Sequence, residues 1–108
     1  MAQRKKPLEK TITNNIIRYL NSLPACYARK IHSSRYASGF PDIVCVKGGR
    51  TYWLEVKRPG GKPTKLQEVE LGKWQEAGAT VAVVHSLDEA KHVIEHGRPG
   101  YWVLCTIQ

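Results

Sequence analysis

Long apolar runs are missing from this chain of 108 residues. No stretch approaches the roughly 20 apolar residues that a membrane-spanning helix needs, and the first eight residues are basic and polar with no apolar segment behind them. These absences exclude a transmembrane class and argue against a secretory signal peptide. We therefore expect one domain that works in the cytoplasm without membrane contact.

Cysteine is also scarce. Cys26, Cys45 and Cys105 cannot all pair within one chain, and none of them belongs to a Cys-x-x-Cys motif. Each stands among apolar residues, which favours reduced thiols in the core over disulfides or a zinc site.

Acidic residues are few in the first half of the chain. Residues 1–50 hold ten Lys or Arg and only two acids, Glu9 and Asp42, so this half carries the whole net charge of +8, whereas residues 51–108 hold seven bases and seven acids. A basic half favours a polyanionic partner such as nucleic acid. The alternative is a basic surface that serves solubility alone. Neither interpretation explains the two isolated acids.

The hydrophobic pattern predicts the element order α-β-β-β-α-β-α-β. Residues 1–6 form a basic flexible tail, and residues 7–108 form a single domain. A helix begins at Pro7, with apolar residues at helical spacing, and ends before Pro24. Strands follow at 25–32, 42–46, 51–56, 79–84 and 101–107, and further helices at 64–77 and 87–96. This order predicts an α/β fold with a mixed β-sheet flanked by helices.

A hairpin turn at residues 48–49 fixes the register of two of these strands. Both turn residues are glycine, which tolerates the positive φ angles of a two-residue hairpin turn. Counting outward from the turn places Asp42 opposite Glu55, with Lys57 pointing the same way. Trp53 shares this face, where packing against the first helix is the favoured interpretation and stacking on a base is the alternative.

The facing carboxylates predict a metal site. Like charges directly opposite each other on a sheet repel, and Mg²⁺ is commonly held by one or two carboxylates together with water and substrate phosphate. The alternative is an exposed pair at the sheet edge, with Lys57 as a surface counter-ion. Apolar residues flank Glu55 and favour a buried strand.

These residues resemble a known family. The pattern Gly39-x-Pro41-Asp42, followed by Glu55-Val56-Lys57 and by Gln67 on the next helix, is similar to the PD-(D/E)xK nuclease superfamily. Within it, the VRR-NUC (virus-type replication-repair nuclease) domain is the closest resemblance, and it runs from Glu9 to about Val84. The resemblance implies a restriction-endonuclease-like fold and Mg²⁺- or Mn²⁺-dependent hydrolysis of phosphodiester bonds.

The resemblance also implies a role for individual residues. Its catalytic residues correspond to Asp42, Glu55, Lys57 and Gln67. Its ligands for one or two metal ions correspond to Glu9, Asp42, Glu55 and the main-chain carbonyl of Val56. Lys57 would orient or activate the attacking water, and Gln67 would buttress the site. Beside this site, a set of basic residues is expected to contact DNA phosphates: Lys5, Lys6, Arg35, Arg58, Lys62 and Lys65.

The resulting functional hypothesis is a DNA endonuclease that selects structure rather than sequence. Stand-alone domains of this family, as the resemblance implies, resemble Holliday junction resolvases and act as homodimers on branched or double-stranded DNA. The alternatives are a nuclease for flaps, nicks or single strands, and a non-catalytic DNA-binding module. The intact Asp42, Glu55 and Lys57 argue against the last of these. No small-molecule cofactor is expected.

Overall fold

The computed structural model describes residues 8–32, 39–97 and 102–103. The expected basic tail of residues 1–6, Cys105 and most of the expected last strand lie outside these ranges. The elements follow the predicted order: α1 (Glu9–Asn21), β1 (Cys26–Lys30), β2 (Ile43–Lys47), β3 (Arg50–Val56), α2 (Lys65–Glu76), β4 (Thr80–Val84), α3 (Leu87–His96) and β5 (Trp102–Val103). None of the helices within the described ranges is both long and apolar enough to cross a membrane.

The strands form one mixed sheet in the order β1-β2-β3-β4-β5. The pairs β1–β2 and β2–β3 are antiparallel, whereas β3–β4 and β4–β5 are parallel. Parallel neighbours need a crossover connection, and α2 supplies the one between β3 and β4. The predicted α/β fold with a mixed sheet is therefore confirmed.

The β2–β3 hairpin has the predicted register. Lys47 pairs with Arg50 and Ile43 with Leu54, while the turn glycines have φ angles of 56° and 82°, as a type I′ turn requires. Asp42 and Glu55 are the next residues outward on the two strands. The turn at Gly48 and Gly49 thus determines that Asp42 and Glu55, which are 13 residues apart in the sequence, lie opposite each other.

The two faces of the sheet bury different helices. On one face, α1 and α3 pack against the larger core. On the other face, Trp53 packs with Leu71 of α2 in a smaller cluster, and its ring lies 4.3 Å from that of Trp74, centroid to centroid. The expectation that Trp53 packs against the first helix is therefore wrong, because α1 covers the opposite face. Since side chains alternate along a strand, Glu55 lies on the same face as Trp53, towards α2.

Candidate active site

Glu55 and Asp42 form the centre of the site. Glu55 is the penultimate residue of β3, and only 2% of its surface is exposed. Asp42 is anchored beside it, because its Oδ2 accepts a hydrogen bond of 2.7 Å from the main-chain N–H of Val56. Burial, and after it the charge of Asp42, raise the pKa of Glu55 from its ordinary 4.5 to about 8, although Lys57 acts in the opposite direction. The pair therefore resists carrying two negative charges unless a cation compensates them.

The two oxygens of Glu55 have different surroundings. Oε2 accepts a hydrogen bond of 2.8 Å from Nε2 of Gln67 and lies 3.4 Å from Nζ of Lys57. Oε1 is buried and has no hydrogen-bond partner among the described residues. A buried carboxylate oxygen without a partner is costly. A divalent cation held between Glu55 and Asp42 would satisfy that oxygen, so the residues present fit such an ion.

Gln67 reaches Glu55 because it lies in the first turn of α2. Thr64 caps the helix: its Oγ1 accepts from the N–H of Gln67 at 3.2 Å, and Oε1 of Gln67 accepts from the N–H of Thr64 at 2.8 Å. This reciprocal capping box fixes the orientation of the amide group, since its oxygen is committed to Thr64. Its nitrogen must then face Glu55, where only a donor is tolerated. From the sequence pattern alone, Gln67 would be an exposed helix residue. In the structure it connects the start of α2 to Glu55 in the candidate active site.

Lys57 lies at the border between the buried site and solvent. Its side chain is 16% exposed, and its main-chain N–H donates to the carbonyl of Val84 at 3.0 Å, which ties it to the end of β4. The ammonium group is therefore held close to Glu55 while remaining accessible to water and to a phosphate. This position suits a group that orients an attacking water.

The structure explains why the Gly-x-Pro-Asp motif begins with a glycine, Gly39. Its φ angle is +89°, which is in the region that favours glycine. A Cβ added there would lie 3.0 Å from Cγ of Leu66 and 3.2 Å from its carbonyl oxygen. The chain that leads into Asp42 therefore passes directly against Leu66 in the first turn of α2, and the next residue, Gln67, contacts Glu55.

One of the expected metal ligands, Glu9, does not join a cluster with the other two carboxylates in the described part of the chain. Glu9 is exposed in the first turn of α1, and the described residues contain no group of three or more His, Cys, Asp or Glu arranged to hold a metal. The site as described consists of Asp42 and Glu55. Metal binding by Glu9 and by the carbonyl of Val56 stays a prediction.

The basic residues expected to contact DNA divide into two sets. Arg58, Lys62 and Lys65 are exposed, on the loop that follows Lys57 and at the start of α2. Lys5, Lys6 and Arg35 lie outside the described residues. Contact of either set with DNA stays a prediction.

One residue of this neighbourhood was assigned no role from the sequence. His85 follows β4, and its ring bridges Glu89 of α3 and the carbonyl of Gly61 in the basic loop. In the sequence, the only indication that His85 lies near the site is its position at the end of a buried strand. In the structure, it follows Val84, whose carbonyl accepts from the main-chain N–H of Lys57.

The comparisons with known proteins concern the fold and the sequence as a whole. No family model matches the chain, and no curated protein matches it. Among solved structures, a VRR_NUC domain superposes with a TM-score of 0.70 at 29% sequence identity, over 82% of this chain and 95% of that domain. Fold and site define a restriction-endonuclease-like α/β nuclease domain. Within that class, the chain resembles a VRR-NUC domain in both fold and sequence.

Proposed function

We propose that the chain is a metal-dependent DNA endonuclease that hydrolyses phosphodiester bonds. The observation that carries this proposal is the buried Glu55 beside the half-buried Asp42, with Lys57 at 3.4 Å from Glu55 and one buried carboxylate oxygen without a partner among the described residues. Mg²⁺ or Mn²⁺, held by Asp42 and Glu55, would supply the positive charge that a scissile phosphate needs and the acidity that makes water a nucleophile near neutral pH.

Other residues of the chain orient the attacking water, hold the carboxylate of Glu55 in place and bind the DNA. Lys57 orients the attacking water and faces the developing negative charge on the phosphate. Gln67 holds Oε2 of Glu55 in place by its hydrogen bond of 2.8 Å, so that Oε1 stays directed into the site. Arg58, Lys62 and Lys65 bind neighbouring phosphates, which positions DNA without reading its sequence.

Metal-dependent cleavage is the first test. Purified protein should nick supercoiled DNA with Mg²⁺ or Mn²⁺ and leave it intact in EDTA, because the paired carboxylates need a cation. Glu55→Gln is the matched control for a contaminating nuclease, since it should be inactive under every condition. Full cleavage in EDTA, or cleavage by Glu55→Gln at the rate of the unaltered protein, would refute the proposal.

We further propose that the substrate is a four-way DNA junction and that the active form is a homodimer. One chain supplies one carboxylate site, whereas resolving a junction takes two incisions on opposed strands. A two-fold dimer is the commonest closed assembly and matches a two-fold substrate. Tyr27 and Val46 support a dimer surface at β1: they are cross-strand partners whose side chains are 61% and 44% exposed. Exposed apolar side chains that adjoin each other favour a protein contact.

The oligomeric state and the products test this proposal together. Light scattering should give about twice the chain mass of 12.2 kDa, and junction cleavage should give paired nicks near the crossover. Tyr27→Asp should shift the protein to a monomer and abolish paired nicking, whereas Val69→Asp, at an exposed apolar position of α2, should leave both unchanged. A monomer that cuts flaps and nicked duplexes but not junctions would instead favour the flap-directed alternative.

A further inference from the structure

The ring of His85 holds two parts of the molecule together. Its Nδ1 lies 2.9 Å from Oε1 of Glu89, and its Nε2 lies 2.8 Å from the carbonyl oxygen of Gly61. The same Glu89 oxygen accepts from the main-chain N–H of His85 at 2.8 Å. Glu89 is itself fixed at the start of α3, because its N–H donates to the capping Ser86 at 3.1 Å. One end of the contact is thus rigid.

The other end of the contact is the basic loop, residues 58–63. The N–H of Gly61 donates to the carbonyl of Arg58 at 2.7 Å, and Gly60 between them has a φ angle of +85°. With Pro59 before Gly60, this is a type II turn, which combines proline at its second position with glycine at its third. The turn fixes the N–H side of Gly61, and His85 fixes its carbonyl.

The basic loop connects Lys57 to the start of α2, where Gln67 lies. It begins directly after Lys57 and ends before Thr64, which caps α2 and forms hydrogen bonds with Gln67. Between these ends it carries Arg58 and Lys62. Gly61 lies at the middle of the loop, so a hydrogen bond at its carbonyl limits how far both basic side chains can move relative to Lys57.

Both atoms that the ring faces can only accept hydrogen bonds. A carbonyl oxygen and a carboxylate oxygen each need a donor, so Nδ1 and Nε2 must both carry a proton for both contacts to form. A neutral ring that keeps its proton on Nδ1 retains Glu89 but turns a lone pair towards the carbonyl of Gly61. The contact with the loop is therefore the one that depends on the proton at Nε2.

We propose that His85 is a positioning residue for the nuclease, which donates from Nε2 to the carbonyl of Gly61 and so holds Arg58 and Lys62 where they meet DNA phosphates beside the scissile bond. This inference rests on the proposed nuclease function. His85 acts through the loop and touches neither the carboxylates nor the reacting atoms. Its loss should therefore weaken the binding of DNA equally before and in the transition state, which raises KM and leaves kcat unchanged.

Two substitutions separate the contact with the loop from the contact with α3. In His85→Gln the side-chain amide nitrogen can take the position of Nε2, whereas in His85→Asn it can take only that of Nδ1. We expect His85→Asn to raise KM for a labelled synthetic four-way DNA junction about tenfold, the effect of losing one hydrogen bond, with kcat unchanged. We expect His85→Gln to keep both constants. His92→Asn, at an exposed position of α3, is the control and should match the unaltered protein.

Nuclear magnetic resonance gives a second readout that needs no cleavage. The ring of His85 should show a proton on Nε2, and the amide signal of Gly61 should move in His85→Asn but not in His85→Gln. Equal KM values for the two variants, a reversed order, or a fall in kcat that matches the rise in KM would overturn the inference. If the unaltered protein cuts no DNA, the nuclease proposal fails. The dissociation constants of the same variants for the same junction then test whether His85 holds the basic loop in place for DNA binding.

Discussion

Lys57→Ala is expected to lower the turnover of DNA by about 10²- to 10³-fold, the effect typical of removing one group that stabilises developing negative charge, while DNA binding changes little. The ammonium group is the one basic side chain held against Glu55 in the described part of the chain, at 3.4 Å. Binding depends on many exposed bases, so the loss of one partly buried cation removes little of it. Single-turnover rates and fluorescence anisotropy on the same DNA measure the two effects separately.

Lys62→Ala is the matched control for the loss of charge. Lys62 lies in the basic loop that follows Lys57 and is exposed. Its removal should therefore weaken binding and leave the rate at saturating DNA unchanged. If Lys57→Ala cuts at the rate of the unaltered protein, the lysine has a structural role only. If Lys57→Ala loses binding and turnover in equal proportion, its charge serves affinity rather than chemistry.

The central pair of the site was predictable because it depends on local geometry. The glycines at 48 and 49 fix a two-residue turn, and the strand period of two then determines that Asp42 and Glu55 share a face. No information about distant parts of the chain enters that inference. The same holds for α3, whose start at Ser86 and end at Gly97 are both marked by capping residues.

Other features depend on how the elements pack, and the sequence pattern contains little information about that. A strand that is buried on both faces has no polar side to show which helix covers which face. Trp53 was therefore assigned to α1, although it packs under α2. The hydrogen bond from Gln67 to Glu55 and the bond from His85 to Gly61 span 12 and 24 residues. Only the resemblance identified Gln67, and nothing identified the contact of His85.

Glu55 makes the stability of the metal-free protein depend on pH. Unfolded, its carboxyl loses a proton near its ordinary pKa of 4.5, whereas in the folded protein burial and Asp42 raise the pKa to about 8. Between these values the folded state binds more protons than the unfolded state, so the free energy of unfolding falls as the pH rises. In EDTA the protein should therefore unfold at a lower temperature at pH 8 than at pH 5.

Asp42→Asn should lower the affinity for Mn²⁺ at least about tenfold, since losing even an indirect partner of a metal ligand costs that much, and it should abolish cleavage. The same change should stabilise the metal-free protein at pH 8. The asparagine oxygen can still accept from the N–H of Val56, which anchors Asp42 at 2.7 Å, while the charge that raises the pKa of Glu55 is gone. Titration calorimetry and thermal unfolding in EDTA measure the two effects.

Glu55→Gln provides the limiting case for this comparison, because it removes the titrating group. The fall in melting temperature between pH 5 and pH 8 should be largest for the unaltered protein, smaller for Asp42→Asn, in which burial still raises the pKa of Glu55, and smallest for Glu55→Gln. An Asp42→Asn protein that loses stability as steeply as the unaltered one would show that the two carboxylates do not interact. Unchanged Mn²⁺ affinity in the same variant would remove Asp42 from the metal site while leaving its structural contact with Val56 intact.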